Sequence, residues 1–426
     1  MILALLVLAA AGVSSQRCVD VYPYALDIGF YWASVTSMVD GTPEITWTKS
    51  CLGNHAHSFD PTRPSIFGVH GLQSGSVAQN VRFLVNDTND NILAAGVAAG
   101  WLALGYNFGV FEWTQFADEP LSNFMRAEGK LNATDFLSGT EYLYVDPHKN
   151  LAPPADGPRK SVAQYLYEHY VDHFPAAEGS EGSEGYEVAG PRIYGHSLGT
   201  QLIVFFTELL ITDTGAPNKA QPPDRIALLD PVFSVEAKPY FVGNPCGRDT
   251  SDVLGCYMAQ ILARGIAVEL YRSSFINRCI FSSENNAPMV ANSAAAALKF
   301  NEWGTQKEGY CWNSELLSHF NRGNINKLSN QLYNQHKSVI GWYLASFITP
   351  NPPRICIKKD DNRCDATRSL ALSAAMPTAD VLEWAHTTIK SGMKACFYQF
   401  DEYASTRSVS PSDDLFFVDD CFRFNM

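Results

Sequence analysis

Short apolar runs alternate along the chain with longer segments in which apolar positions recur at helical spacing. The runs at 64–76, 106–113 and 224–233 are typical of buried strands, because each is short, apolar and bounded by turn residues. Segments 161–174 and 201–211 have the apolar spacing of helices. This alternation predicts an α/β fold with a mostly parallel central sheet and helices on both faces.

Two segments depart from this alternation. Residues 114–160 are polar, irregular and proline-bearing, so we expect an insertion there. Residues 351–426 follow the last apolar helix and contain four cysteines. The sequence therefore predicts one α/β domain over 16–350, followed by a C-terminal extension over 351–426.

The stretch 194–200, YGHSLGT, contains a G-x-S-x-G pattern between a predicted strand and a predicted helix. A nucleophilic serine on such a turn needs a small residue two positions before it and another two positions after it, and Gly195 and Gly199 meet this requirement. The pattern also occurs by chance as an ordinary glycine-rich turn. The flanking strand and helix favour Ser197 as a nucleophile.

A serine hydroxyl needs a base that accepts its proton, and that base needs a carboxylate that orients it. Within 224–233, Asp230 ends the apolar run IALLD, and Pro231 turns the chain away from this predicted strand. A carboxylate at the carboxyl end of a strand lies at the sheet edge where ligands bind. Asp213 and Asp224 are weaker candidates, because neither ends a strand.

Catalytic sets built on this kind of turn follow the chain order serine, acid, histidine. Three histidines follow Asp230 and satisfy this order. His336 lies in a polar stretch that leads into an apolar helix, a suitable place for a base above the sheet edge. His319 is also consistent with a helix C-terminal residue, and His386 with a residue on a helix surface. We predict His336 as the base and keep the other two as alternatives.

A tetrahedral oxyanion needs two backbone N–H donors. The residue after the nucleophile, Leu198, would supply one of them. The loop after the strand at 64–69 would supply the other, and we predict the amide of Leu72. His70 in this loop is interpreted as a residue that stabilises the turn.

Composition and charge argue against a nucleic-acid partner and against a transmembrane segment beyond the N-terminus. The 426 residues are 46% hydrophobic, and 31 basic and 44 acidic residues give a net charge of −13. This acidic balance argues against a nucleic-acid partner. Beyond the N-terminus we expect no transmembrane segment, because no run of 18 apolar residues is present.

Several features indicate export. Residues 1–15 form an apolar run that ends in small residues, which predicts a cleaved signal peptide, with a membrane anchor as the alternative. Asn86 and Asn132 begin N-glycosylation sequons. The even number of cysteines suggests disulfides, whose connectivity does not follow from the sequence. They are Cys18, Cys51, Cys246, Cys256, Cys279, Cys311, Cys356, Cys364, Cys396 and Cys421.

The motifs VHGL, YNFGVFEW, GHSLG and ALLDP, followed by the helix at His336, resemble secreted animal lipases of the pancreatic lipase and phospholipase A1 type. The resemblance extends over about residues 60–350. It implies an α/β-hydrolase fold, action on triacylglycerol or phospholipid, and the roles already named for Ser197, Asp230 and His336. It also implies an oxyanion hole at Leu72 and Leu198.

The chain also differs from that family. Leu72 stands where those lipases have Phe, and their C-terminal β-sandwich is missing, so we expect no colipase-type partner. In such lipases a lid lies between acid and base, and here 273–330 is the candidate lid region. Its apolar part, 282–308, lies between Cys279 and Cys311. A packed helix under a long loop is the alternative interpretation.

Together these features predict a secreted serine hydrolase that cleaves carboxylic esters of lipids through an acyl-enzyme, with no metal or organic cofactor. Phospholipase A1 activity, or acyl transfer to an alcohol, would use the same three side chains. A catalytically silent lipid-binding protein is the alternative from another class.

Overall fold

The computed structural model describes residues 25–39, 42–80, 82, 91–120, 123–133, 143–154, 159–176, 190–213, 220–234, 237–272, 298–301, 336, 339–340, 343–344, 354–358, 364–371, 377–380, 395–401 and 415–422. The strands are β1 (Gly29–Val39), β2 (Thr42–Lys49), β3 (Ser65–Val69), β4 (Asn107–Glu112), β5 (Tyr144–Val145), β6 (Leu151–Ala152), β7 (Arg192–His196), β8 (Arg225–Leu229), β9 (Ala267–Arg272), β10 (Leu298–Asn301), β11 (Arg354–Lys358), β12 (Cys364–Ala371), β13 (Ala395–Asp401) and β14 (Leu415–Phe422).

The α-helices in the same part of the chain are α1 (Asn91–Ala103), α2 (Thr114–Ala117), α3 (Phe124–Asn132), α4 (Val162–His173), α5 (Leu198–Thr212) and α6 (Thr250–Ala263). Helix α4 begins with a capping box, in which Ser161 and Gln164 satisfy each other's backbone N–H groups. Helix α5 is almost entirely buried, as its apolar sequence predicts.

One sheet forms the centre of the molecule, with the strand order β12-β11-β13-β10-β9-β8-β7-β3-β4-β1-β2 and β14 beside β13. Within this order, the run β13-β10-β9-β8-β7-β3-β4 is parallel. The strands beyond it at each end pair antiparallel. The strand order reverses after β4. Right-handed crossovers therefore place α1 on one face and α4, α5 and α6 on the other. The predicted α/β class and mostly parallel sheet are confirmed.

The predicted insertion at 114–160 is more regular than expected. It contains α2, α3 and the small β5–β6 hairpin. Helix α3 forms because Phe124, Ala127 and Leu131 recur at helical spacing and are buried against the core. The prediction of an irregular segment was wrong for this part.

The strands β11 to β14 show that part of the predicted C-terminal extension is a continuation of the central sheet. Strand β10 lies inside the candidate lid segment 282–308 and pairs with β9 on one side and β13 on the other. Moving such a strand would leave its backbone groups without ladder hydrogen bonds, so residues 298–301 do not belong to a lid. The rest of 282–308 lies outside the described residues.

Some of the features relevant to export lie within the described residues. Cys246 and Cys256 form a disulfide, and Asn132 is a half-buried residue at the end of α3. The predicted signal peptide at 1–15 and the sequon at Asn86 lie outside them. No helix in the described part of the chain combines the length and apolarity needed to cross a bilayer.

Candidate active site

Ser197 occupies a sharp turn between β7 and α5. Its backbone has φ 56° and ψ −123°, a conformation that non-glycine residues rarely adopt. The Ser197 N–H donates to the carbonyl of Leu229, the last residue of the adjacent strand β8, at 3.0 Å. The strained turn is thus tied to the sheet edge, and strain of this kind is common at functional sites.

The two glycines of the pattern allow the backbone segments around this turn to pack closely. A Cβ on Gly195 would lie 2.4 Å from the carbonyl oxygen of Gly199. A Cβ on Gly199 would lie 2.2 Å from the carbonyl oxygen of Val69, at the end of β3. Both separations are far shorter than a carbon–oxygen contact allows, so the turn requires glycine at both positions.

Asp230 and His336 form a buried pair. Oδ2 of Asp230 lies 2.5 Å from Nδ1 of His336, although the two residues are 106 positions apart in the chain. Asp230 is fully buried and His336 is 9% exposed. With Nδ1 donating to the carboxylate, the neutral imidazole has its lone pair on Nε2, the nitrogen that a proton acceptor needs.

The backbone at Asp230 also has a turn conformation. Its φ is 45°, which explains why the chain leaves the sheet directly after β8. The Asp230 N–H donates to the carbonyl of Tyr271 in β9 at 2.7 Å. The carboxylate is therefore held at the carboxyl ends of neighbouring parallel strands, on the same edge as Ser197.

His336 is held by His196 as well as by Asp230. The ring of His196, the residue before Ser197, lies 4.3 Å from the His336 ring, and its Nε2 donates to the His336 carbonyl at 2.7 Å. Further along the same segment, Trp101 Nε1 donates to the carbonyl of Leu344 at 3.2 Å, and Tyr343 is buried. The structure thus brings Ser197, Asp230 and His336 to one sheet edge.

The alternative acids lie elsewhere. Asp224 precedes β8, at its amino end, and accepts a hydrogen bond from Thr378 at 2.5 Å. Asp213 follows the last residue of α5 and accepts a hydrogen bond from Tyr167 at 2.5 Å. A helix of this length places Asp213 about 24 Å from Ser197. The alternative bases, His319 and His386, lie outside the described residues.

The loop after β3 comes into direct contact with the serine. A Cβ on Gly71 would lie 2.5 Å from Cβ of Ser197 and 3.0 Å from its Oγ. Leu72 follows and is half-buried against the core. Leu198 is the first residue of α5, where backbone N–H groups have no partner within the helix. Both predicted oxyanion donors therefore belong to residues next to the Ser197 turn.

His70 and Trp113 determine how this loop is held, although no local pattern in the sequence indicates a role for Trp113. The Trp113 N–H donates to Nε2 of His70 at 3.2 Å, so the ring proton is on Nδ1, which donates to the Gly71 carbonyl at 2.9 Å. The Gly71 carbonyl and the Leu72 N–H share one planar peptide and point in opposite directions. By holding that carbonyl, His70 sets the direction of the Leu72 N–H.

A buried carboxylate in the insertion supports the loop after Asp230. Glu128 of α3 accepts hydrogen bonds from the Ser234 N–H and from Gln201 Nε2, both at 3.0 Å. Gln201 also donates to the Val232 carbonyl at 2.7 Å. Burial raises the pKa of Glu128, and the nearby Lys238 opposes this shift. Only the helical spacing of α3 could have indicated that this segment packs near the site.

Comparison with known proteins gives distant likenesses only. No protein-family model and no curated protein matches the chain. A predicted CIB-like hydrolase from Thermoplasma acidophilum is 13% identical, with 71% of this chain and 99% of that chain covered and a TM-score of 0.29. The fluorophosphonate-binding serine hydrolase FphF from Staphylococcus aureus is 10% identical, with 69% and 97% covered and a TM-score of 0.27.

A third solved structure, esterase B from Lactobacillus rhamnosis, is 10% identical, with 71% of this chain and 75% of that chain covered and a TM-score of 0.22. Likenesses at this level assign no family. The central strand order and the strand–turn–helix at Ser197 are those of the α/β-hydrolase fold, which is therefore the fold of this chain.

Proposed function

We propose that this protein is a serine hydrolase that cleaves carboxylic esters through an acyl-enzyme. One observation carries the proposal: the buried Asp230–His336 pair, with 2.5 Å between carboxylate and imidazole, lies on the sheet edge that holds the strained turn at Ser197. This set of groups is the one that activates a serine hydroxyl.

In the proposed reaction, Oγ of Ser197 attacks the ester carbonyl while Nε2 of His336 accepts the hydroxyl proton. Asp230 holds the ring through Nδ1 and stabilises the imidazolium that forms. The amides of Leu72 and Leu198 would bind the oxyanion of the tetrahedral intermediate. Its collapse releases the alcohol, which takes the proton from His336 and leaves an acyl group on Ser197.

The second half of the reaction uses the same groups. Nε2 of His336 accepts a proton from water, and the resulting hydroxide attacks the acyl carbonyl. The second tetrahedral intermediate releases the carboxylic acid, and the proton returns to Oγ of Ser197. The water and the ester together account for every atom of the two products.

The finer parts of the proposal are lipid esters as substrates, triacylglycerol first among them, and secretion. The order of the motifs over about residues 60–350 supports lipid substrates by resemblance to secreted lipases. The apolar N-terminal run and the Cys246–Cys256 disulfide support export.

A fluorophosphonate probe tests the catalytic proposal. We expect the folded protein to react with it stoichiometrically at Ser197, because the probe phosphonylates serines that a neighbouring base activates. The Ser197→Ala variant should not be labelled, whereas Ser76→Ala, which removes another buried serine, should be labelled like the original protein. Intact mass and peptide mass spectrometry measure both outcomes.

Labelling that survives Ser197→Ala would contradict this assignment. Folded protein that takes up no probe would instead favour the silent lipid-binding protein.

An assay across substrate classes tests the lipid proposal. We expect emulsified triacylglycerol to be hydrolysed at least about tenfold faster than phospholipid vesicles, a difference that corresponds to about 1.4 kcal/mol in the barrier. Short-chain nitrophenyl esters serve as the reference for an intact catalytic centre. Higher activity on phospholipid would contradict the triacylglycerol assignment, and ester products formed with an added alcohol would indicate acyl transfer.

A further inference from the structure

A buried ion pair lies in the central sheet, away from the sheet edge that carries Ser197. Arg225, the first residue of β8, is fully buried, and its Nε lies 3.2 Å from Oε1 of Glu269 in β9. The other carboxylate oxygen of Glu269 accepts a hydrogen bond from the Tyr271 hydroxyl at 3.3 Å. Charged groups are costly to bury, and the ester hydrolysis proposed above gives this pair no role.

The ion pair shares one face of the sheet with three tyrosine rings. In the register of β8 and β9, Arg225, Glu269 and Tyr271 all point to the same face, because side chains alternate along a strand. The ring of Tyr343 packs against this face, with centroids 5.4 Å from Tyr271 in β9 and 6.2 Å from Tyr194 in β7. Because β8 lies between β7 and β9, Tyr343 is seated over β8.

The Tyr343 hydroxyl accepts a hydrogen bond from Arg225. Burial, aided by the nearby Glu269, raises the pKa of Tyr343, so the hydroxyl keeps its proton. Its partner is a charged guanidinium in a dry environment, and hydrogen bonds from charged donors are among the strong ones. The end of the Tyr343 side chain is therefore fixed to the first residue of β8.

Tyr343 and His336 belong to one face of the same helical segment. The described residues of this segment are 336, 339, 340, 343 and 344; all are helical, and all but the half-buried Ile340 are buried. Seven residues are close to two turns, or about 10 Å along a helix axis. The face that carries the base thus carries Tyr343 two turns further on.

Strand β8 holds this helical segment at two points. Asp230 follows the last residue of β8 and accepts the Nδ1–H of His336 at 2.5 Å. Arg225 at the other end of β8 holds Tyr343. A helix held at one point can turn about its axis or slide, whereas two points that are two turns apart prevent both motions.

We propose that Tyr343 is a positioning residue for His336 and that Arg225 acts through Tyr343. The proposal rests on the function proposed above, in which Nε2 of His336 accepts the proton of Ser197. A displacement of about 1 Å in an active site can lower the rate about 100-fold. Losing one of the two points of attachment while the Asp230 contact remains should have a smaller effect, of about tenfold.

Phenylalanine in place of Tyr343 tests this proposal in the full-length protein. The variant keeps the ring and removes only the hydroxyl that Arg225 holds. We expect kcat for a short-chain nitrophenyl ester to fall about tenfold with KM within about twofold, because the lost group acts on the base and not on substrate binding. Fluorophosphonate labelling of Ser197 should slow by a similar factor, since it uses the same base.

Tyr170→Phe is the matched control. Tyr170 of α4 is also fully buried, and its hydroxyl donates to the Gln221 carbonyl at 2.7 Å. Urea denaturation should show comparable losses of stability in the two variants, since each loses one buried hydrogen bond. Tyr170→Phe should nevertheless keep kcat within about twofold, whereas a merely structural role for Tyr343 predicts the same outcome for both.

Arg225→Lys provides the second test, because lysine keeps a positive charge beside Glu269 and lacks the fixed geometry of a guanidinium. Its kcat should also fall, and the double variant with Tyr343→Phe should lose no more than the weaker of the two single variants, because both changes act through one hydrogen bond.

Several outcomes would overturn the proposal. They are unchanged kcat in Tyr343→Phe, an equal loss in Tyr170→Phe, and losses that multiply in the double variant. Each of these leaves the proposed hydrolysis in place as long as the original protein is labelled at Ser197. An original protein that takes up no fluorophosphonate would overturn both proposals together.

Discussion

Asparagine in place of Asp230 is expected to lower kcat for a short-chain ester by on the order of 10³–10⁴-fold, with little change in KM. The buried carboxylate accepts the Nδ1–H of His336 at 2.5 Å. An asparagine amide that presents its NH₂ group to Nδ1 would favour the other tautomer, with the proton on Nε2. The ring could then no longer accept the proton of Ser197.

Asparagine is a suitable replacement because it tolerates a positive φ better than most residues, and φ at position 230 is 45°. The fold should therefore survive, which circular dichroism and urea denaturation would verify. Asp224→Asn is the matched control, since Asp224 flanks the same strand at its other end and should tolerate the change with nearly full activity. Equal losses in the two variants would contradict the assignment of Asp230.

Alanine in place of Gly71 should reduce kcat by roughly 100-fold or more while the protein still folds. The new methyl group would lie 2.5 Å from Cβ of Ser197 and 3.0 Å from the His196 carbonyl oxygen, so the loop or the serine must move. A displacement of about 1 Å in an active site can cost 100-fold in rate. Steady-state kinetics with a nitrophenyl ester and the rate of fluorophosphonate labelling would both report this loss.

Gly75→Ala is the matched control for Gly71→Ala. It lies in the same loop, and its Cβ would approach only the end of the Gln79 side chain, at 3.4 Å. Its φ of 79° makes alanine strained there, at a cost of about 1 kcal/mol in stability. We expect Gly75→Ala to reduce stability and leave kcat within about threefold. If instead Gly71→Ala keeps the activity of the original protein, the oxyanion loop has been assigned wrongly.

The segment around Gly71 also explains why the site depends on residues outside the Ser–His–Asp set. His70 holds the Gly71 carbonyl, and Trp113 holds His70 through its backbone N–H and through ring stacking at 5.2 Å. Trp113 follows β4 directly, beside β3 in the sheet. Two neighbouring strand ends therefore position one proposed oxyanion donor.

Several predictions from the sequence depended on local patterns, and the described strands and helices confirm them. The apolar runs form β3, β4 and β8, and helix α5 follows Ser197 directly. The expected irregularity of residues 114–160 was the clearest error, because α3 is a short helix with few apolar positions among polar residues. Glu128 of that helix is buried beside groups that lie more than 70 positions later in the chain: Gln201 and Ser234 donate hydrogen bonds to its carboxylate, and Lys238 lies nearby.

Neighbouring residues were thus sufficient to predict the alternation of strands and helices, the turn at Ser197 and an aspartate at a strand end. Periodicity and turn residues act over a few positions, and the sequence states them directly. Only the tertiary structure placed His336 against Asp230, Gly71 against Ser197 and the strands after 350 in the same sheet. These contacts join residues far apart in the chain, and packing between distant segments has no local period that a single sequence could reveal.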